Sequence, residues 1–337
     1  MAAPFGTLSD GSQAMSYNLS LDNGVTATLT DFGGSLIGWH VPDRDGQLGD
    51  VVLGCDDVSA LAQQTAYLGA AIGRVAGRVH EARFPLDGRE YYVATNNTPH
   101  HLHGGFRGFS YRLWSAEMLG GEVSAVRFTI TSKDGDEGYP GEVQASLTYR
   151  LEPPARLVLT FEAVASQPTP FSPTCHAYFN LDGHAAGSLA SHTLHLRASR
   201  NTPVDESLIP TGEIAPVSGT PMDFSEPKGF AQEYDHNFVI DEPPGQLRHA
   251  ARLVSHTSGR ALSISTDRPC IHLYTGAGLD IPRGKQGASY GPFSGLALET
   301  QGFPDALNHT LFAADVLRPG ETFRSQTVFE FIQEPTP

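Results

Sequence analysis

The chain has 337 residues, 39% of them hydrophobic, and its 37 Asp and Glu against 22 Lys and Arg give a formal charge of −15. That balance excludes a surface that tracks nucleic-acid phosphates and discourages adhesion to anionic membranes, so a small neutral molecule is the expected partner. No stretch approaches the roughly 18 apolar residues of a membrane helix, no basic segment leads into an apolar run near the N-terminus, and Cys55, Cys175 and Cys270 lack CxxC spacing, so the expectation is a cytoplasmic protein with reduced, packed thiols and no zinc ribbon.

In chain order, Val58 to Leu68 reads as one short helix. Val126 to Thr131, Val143 to Leu151 and Leu157 to Val164 carry β-branched and aromatic residues in rough alternation, and Glu152-Pro153-Pro154-Ala155 turns the last two into a hairpin. Thr193 to Ala198, Ala261 to Thr266, Ile271 to Thr275, Leu296 to Thr300 and Thr322 to Ile332 continue the strand pattern, with a second short helix expected after Glu299. With 36 glycines and 24 prolines punctuating it, the chain is expected to be all-β, a sandwich or barrel. No composition break, repeat or low-complexity run marks a linker, so residues 1–337 are read as a single domain.

Acid-base side chains stand among apolar and glycine residues in three separated segments: His100-His101-Leu102-His103-Gly104-Gly105, Thr174 to Leu181 around His176, and Leu298-Glu299-Thr300-Gln301. A group that gives a proton and one that takes it are what general acid-base catalysis requires, which points to one composite active site. Taken singly, Glu299 is equally an outward strand glutamate and His176 a hydrogen-bonded core histidine. His101 and His103 have the spacing of a metal pair on one strand face, but Phe106-Arg107-Gly108-Phe109 supplies no carboxylate to complete it. The acidic turn Asp134 to Gly138 lacks the terminal glutamate of a calcium loop and reads as a solvated turn.

With Asp31-Phe32-Gly33-Gly34, Gly73-Arg74-Val75-Ala76-Gly77-Arg78, Asp136-Glu137-Gly138-Tyr139-Pro140-Gly141, Asp235-His236-Asn237-Phe238, Tyr274-Thr275-Gly276 and Pro304-Asp305, these segments resemble the aldose 1-epimerase (galactose mutarotase) family, in family order over most of the chain. The resemblance implies a large antiparallel two-sheet β-supersandwich and the interconversion of α and β anomers of a free monosaccharide such as galactose or glucose, with neither cofactor nor metal, by a monomer or homodimer. It makes Glu299 the general base, His176 the general acid and His103 a hydrogen-bond donor near the ring oxygen, with Gly104 and Gly105 letting backbone approach the sugar. Arg78 and Asp235 are expected to fix hydroxyls, and Arg74 is a weaker alternative to Arg78; away from the resemblance they read as a structural ion pair or surface charges. Tyr178 and Phe303 offer ring faces or belong to the core. Two positions depart from the family pattern, Gly77 where asparagine is usual and His272 where glutamine is usual, and both are expected to touch the sugar and set its preference. A phosphohexose epimerase would need a basic cluster that this chain does not show, and a non-catalytic sugar binder would have lost His176 or Glu299.

Overall fold

The computed structural model describes residues 1–120 and 124–333. Its largest sheet has eight antiparallel strands in the order Ser115–Leu119, Ser124–Ser132, Val143–Glu152, Arg156–Ala165, Phe323–Gln333, Arg260–Thr266, Arg248–Ser255 and His192–Leu196. The expected hairpin is in place, with Leu147 opposite Phe161, and the later strands match the expected runs to within a few residues. A six-stranded sheet runs Tyr178–Phe179, Leu296–Gln301, Cys270–Tyr274, Asp235–Val239, Arg200–Thr202, Ala215–Pro216. These two sheets pack face to face. Phe179 of the smaller meets Phe329 of the larger edge to face at 5.3 Å, and Ile271, Leu273, Leu296 and Leu298 share a buried cluster with Leu262, Ile264 and Phe331. Burying each such side chain contributes roughly 1.5–3 kcal/mol, so period-two alternation on the smaller sheet is firmly fixed: one face belongs to the core and the other is free for a site.

The N-terminal part departs from the sequence reading, which names no strand before Val126. Five strands, Ala2–Thr7, Gln13–Ser20, Thr26–Thr30, Ser35–Pro42 and Leu48–Asp50, form a sheet of their own. Small and polar residues dilute the β signal there; in Gln13–Ser20 only Tyr17 to Ser20 alternates, burying Tyr17 and Leu19, while Ala14 lies on the other face in a different cluster. Trp39 of this sheet packs on Phe331 at 4.7 Å and ties it to the main core.

The first expected helix is shorter than Val58 to Leu68. It spans Val58–Gln63, with Asp57 capping Ala60 N–H at 2.8 Å, and stops because the Gln64 amide takes Leu61 O and Ala66 N–H while its own backbone is extended. Tyr67 then adopts φ +56°, a left-handed conformation uncommon for a large side chain. The helix expected after Glu299 is a single 3₁₀ turn, Ala306–Asn308. No helix among the described residues is long and apolar enough to cross a membrane.

Candidate active site

Strand Leu296–Gln301 sets the floor of a cavity of about 190 Å³. Leu296 and Leu298 point to the core, so Glu299 and Gln301 on the opposite face line the cavity, while Ala297 on that face packs in a second buried cluster with Tyr178. Ladder register places His272 directly opposite Glu299, and Tyr274 opposite both Ala297 and Asp235; His272, Tyr274 and Asp235 all line the same cavity. Tyr178 pairs with Ala297 on the other flank. Gly77, Arg78, His103 and His176 come from loops and short bridges over this floor, so Glu299, His176, His103, Arg78, Asp235, His272, Gly77 and Tyr178 line one cavity.

His176 is held at its backbone, which donates to Ala70 O at 2.9 Å and accepts from Gly69 N at 3.0 Å. Its Nε2 stands 3.5 Å from Glu299 Oε1, and both side chains are almost wholly buried. Burial, reinforced by the charge of Asp235, pushes the Glu299 carboxyl well above its usual range. Burial also drives His176 down to about 4. The pair therefore favours one shared proton over an empty or a doubly protonated state.

His103 lies at φ +49°, just past the short strand His101–Leu102, and is bonded twice to Gly77: its N–H donates to Gly77 O at 3.1 Å, and its Nδ1 accepts from Gly77 N–H at 3.2 Å. Burial and the neighbouring His176 and Arg78 hold the ring well below its usual titration, so it is neutral. With Nδ1 accepting, the ring proton sits on Nε2. Tyr67 packs against this ring edge-on at 4.8 Å and lies 6.0 Å from that of His176.

At the other end of the cavity His272 Nε2 is 2.7 Å from Asp235 Oδ1, and Arg78 is 3.6 Å from Asp235 Oδ2. Burial raises the Asp235 carboxyl, but the His272 hydrogen bond and charge together with Arg78 outweigh it and keep it ionised below its ordinary range. Arg78 also reaches Asn97 Oδ1 at 3.4 Å. Tyr178 lies 4.9 Å from the His176 ring, closing the apolar side.

Some expectations are corrected, and other residues singled out in the sequence lie away from the cavity. Arg74 is not at the site: it is buried against Ser132, Lys133, Pro140 and Thr169. Phe303 stacks on Phe312 at 5.0 Å, outside the cavity. Gly104 and Gly105 do not open backbone to a sugar; a methyl group on Gly104 would collide with the Gly73 carbonyl and one on Gly105 with the Glu137 carboxylate. His101 and His103 share no face, because the strand ends at Leu102 and His101 is bound to Ala94 O and Tyr139 OH instead. Among the described residues no set of three or more His, Cys, Asp and Glu is arranged to hold a metal. In the acidic turn Asp136 pairs with Arg112, and Glu137 accepts from Phe106 and Arg107 N–H. The three cysteines are buried free thiols.

The sequence reading gave no role to Tyr67, Tyr274, Leu279 or Gln301, all of which line the cavity. Gln301 was readable, since a strand that aims Glu299 at a site aims Gln301 there too. Tyr67 was not, because its placement depends on a positive φ after a helix that stops early.

The aldose 1-epimerase family model matches residues 15–330. Galactose mutarotase of Homo sapiens is 40% identical over 339 residues, covering 98% of this chain and 97% of that protein. Aldose 1-epimerase of Escherichia coli (strain K12) is 33% identical over 339 residues, covering 96% and 97%. The crystal structure of an aldose epimerase homologue from C. elegans superimposes with a TM-score of 0.89 at 33% identity, covering 95% of this chain and 99% of that one. With a matching family model, full-length relatives and the same fold, the chain belongs to the aldose 1-epimerase family.

Proposed function

We propose that this protein is a mutarotase that interconverts the α and β anomers of a free, unphosphorylated aldose such as galactose or glucose. The observation that carries the reading is the buried pair Glu299 and His176, 3.5 Å apart on the wall of a polar cavity. With the cyclic sugar bound, the pair acts in its ionic form. Glu299 takes the proton of the C1 hydroxyl while His176 gives one to the ring oxygen, and the C1 to ring-oxygen bond breaks to leave the open-chain aldehyde. The pair is now a neutral carboxylic acid and a neutral imidazole, the form that burial favours. Rotation about C1–C2 presents the other face of the aldehyde, and reclosure returns both protons. Atoms and charge balance over the cycle without a metal or cofactor.

His103 Nε2–H is suited to donate to the ring oxygen or a neighbouring hydroxyl, while Arg78, Asp235 and His272 hold hydroxyls at the far end and Tyr178 offers an apolar face. Gly77 and His272, the departures from the family pattern, are proposed to shift which aldose is preferred. Arg78 is the one Arg or Lys among the described lining residues, and it already faces Asp235, which argues against a phosphorylated substrate. We further propose that the chain works as a single domain in the cytoplasm, as a monomer or homodimer; the acidic surface and free thiols support that setting.

Polarimetry of freshly dissolved α-anomers tests the reading. Purified protein, with and without chelator, is expected to speed the approach to equilibrium for at least one unphosphorylated aldose. Decay at the buffer rate for every sugar overturns the activity, and a chelator-sensitive rate restored by metal overturns the mechanism.

A further inference from the structure

Gln301 stands two residues beyond Glu299 on the same strand and lines the same cavity. It is 1% exposed, and its Nε2 has no hydrogen-bond partner among the described residues. A buried amide donor left unpaired is a cost that folded proteins ordinarily avoid, so such a group at a ligand cavity points to the ligand. The neighbour across the cavity wall is Gly77. A Cβ built there would lie 3.8 Å from Gln301 Nε2 and 3.0 Å from Pro304 Cβ, and glycine sends no side chain into that space. The Gly77 backbone is already committed to His103 through both its N–H and its C=O. Gly77 makes no hydrogen bond to the amide.

We propose that Gln301 is a specificity-determining residue: its side-chain amide hydrogen-bonds one hydroxyl of the bound sugar, which occupies the space beside Gly77. An amide presents a donor at one end and an acceptor at the other, and the two interchange by a half-turn about χ3. The matching ligand group both donates and accepts, as a hydroxyl does. A carboxylate, which only accepts, would satisfy the donor end of the amide alone. The inference rests on the mutarotase reading and adds to it a reader of one hydroxyl on the Glu299 side of the ring.

The test uses the aldose on which the wild type is most active and its monodeoxy derivatives, each assayed with wild type and Gln301→Met, which keeps the length and removes the polar ends. For the hydroxyl that Gln301 reads, deleting the hydroxyl or the amide is expected to lower kcat/KM by about 10-fold or more, and deleting both by little more than either alone. The other deoxy sugars should suffer independent, multiplicative losses. If every deoxy sugar shows multiplicative losses, the amide reads no hydroxyl and the proposal fails, while wild-type activity keeps the mutarotase reading intact. If the wild type itself moves no anomer, it is the mutarotase reading that fails. Should Gln301→Met not fold, Gly77→Asn gives the same reading: asparagine tolerates the left-handed φ of +77° and brings a carbonyl to the amide, so dependence on the same hydroxyl is expected to shrink. Dependence unchanged in Gly77→Asn overturns the proposal.

Discussion

In the proposed mechanism Glu299 is a base in one half of the turnover and an acid in the other, and its surroundings suit neither extreme. Burial alone would leave it protonated, and His176 at 3.5 Å is the group that can take that proton when the sugar arrives. Glu299→Gln keeps the shape of the side chain but cannot accept the anomeric proton, so kcat should fall by about 10² to 10⁴-fold with little change in sugar affinity. His176→Asn should behave alike. Turnover near wild type in the glutamine variant, with its fold intact by circular dichroism, would take the carboxylate out of the mechanism. The same pair sets the pH profile. The active free enzyme carries one proton on the pair; a second is added as pH falls through about 4, where His176 titrates, and the single proton is lost only above the ordinary carboxylate range, where Glu299 titrates. A bell in kcat/KM follows, with its acid limb near 4 and its alkaline limb displaced upward from a free carboxylate. A profile in which activity rises steadily with pH would mean that deprotonation of the pair is productive, contrary to this account.

At the scale of elements, the site is a strand face covered by loops, and the loops are positioned by close backbone packing. The turn after His101–Leu102 carries His103 at φ +49° and then Gly104 at φ +83°, pressed against the Gly73 carbonyl. Gly104→Ala adds a left-handed penalty and a backbone collision, so a loss of at least about 2 kcal/mol in urea unfolding is expected, with a lower kcat wherever the protein survives because His103 is displaced. An unaffected variant would show that this turn has slack. The strand floor was legible from the sequence because alternation is local: Leu296 and Leu298 against Glu299 and Gln301 can be read without knowing what covers them. The motif segments likewise named His176, His103, Arg78 and Asp235, which line the cavity. Features that depend on distant packing were not legible. Arg74 and Arg78 sit in one short segment, yet one is a buried strut and the other lines the cavity, and only the contacts with Ser132 and Pro140 tell them apart. The N-terminal sheet was missed for a related reason, since strand Ser35–Pro42 is buried along most of its length and shows no alternation to read.

Over the whole molecule, histidine burial couples the fold to pH. His101, His176 and His192 are each driven by burial from an ordinary value of 6.5 to about 4. His101 shows why the neutral ring is favoured: Nδ1 sits 2.6 Å from Ala94 O, so it carries the proton, and Nε2 accepts from Tyr139 OH at 2.7 Å. These folded values are depressed, so between 6.5 and about 4 the unfolded chain binds more protons than the native one. The stabilisation from keeping the rings neutral is complete above 6.5 and is lost as pH falls through that window, at about 1.4 kcal/mol per pH unit for each ring. Glu299 works in the opposite direction, since its raised value keeps a proton on the native protein that the unfolded chain has already released. Among the described residues eight histidines, His103 included, are held low against four raised carboxyls, Glu299, Asp31, Asp267 and Asp305, so Tm should climb from pH 5 to about 6.5 and then flatten. Differential scanning calorimetry across that range checks the slope, and His101→Gln, which cannot titrate, should lower it by about one proton's worth. A Tm that does not change between pH 5 and 6.5 would mean that the buried histidines accept protons in the native state as readily as in the unfolded one.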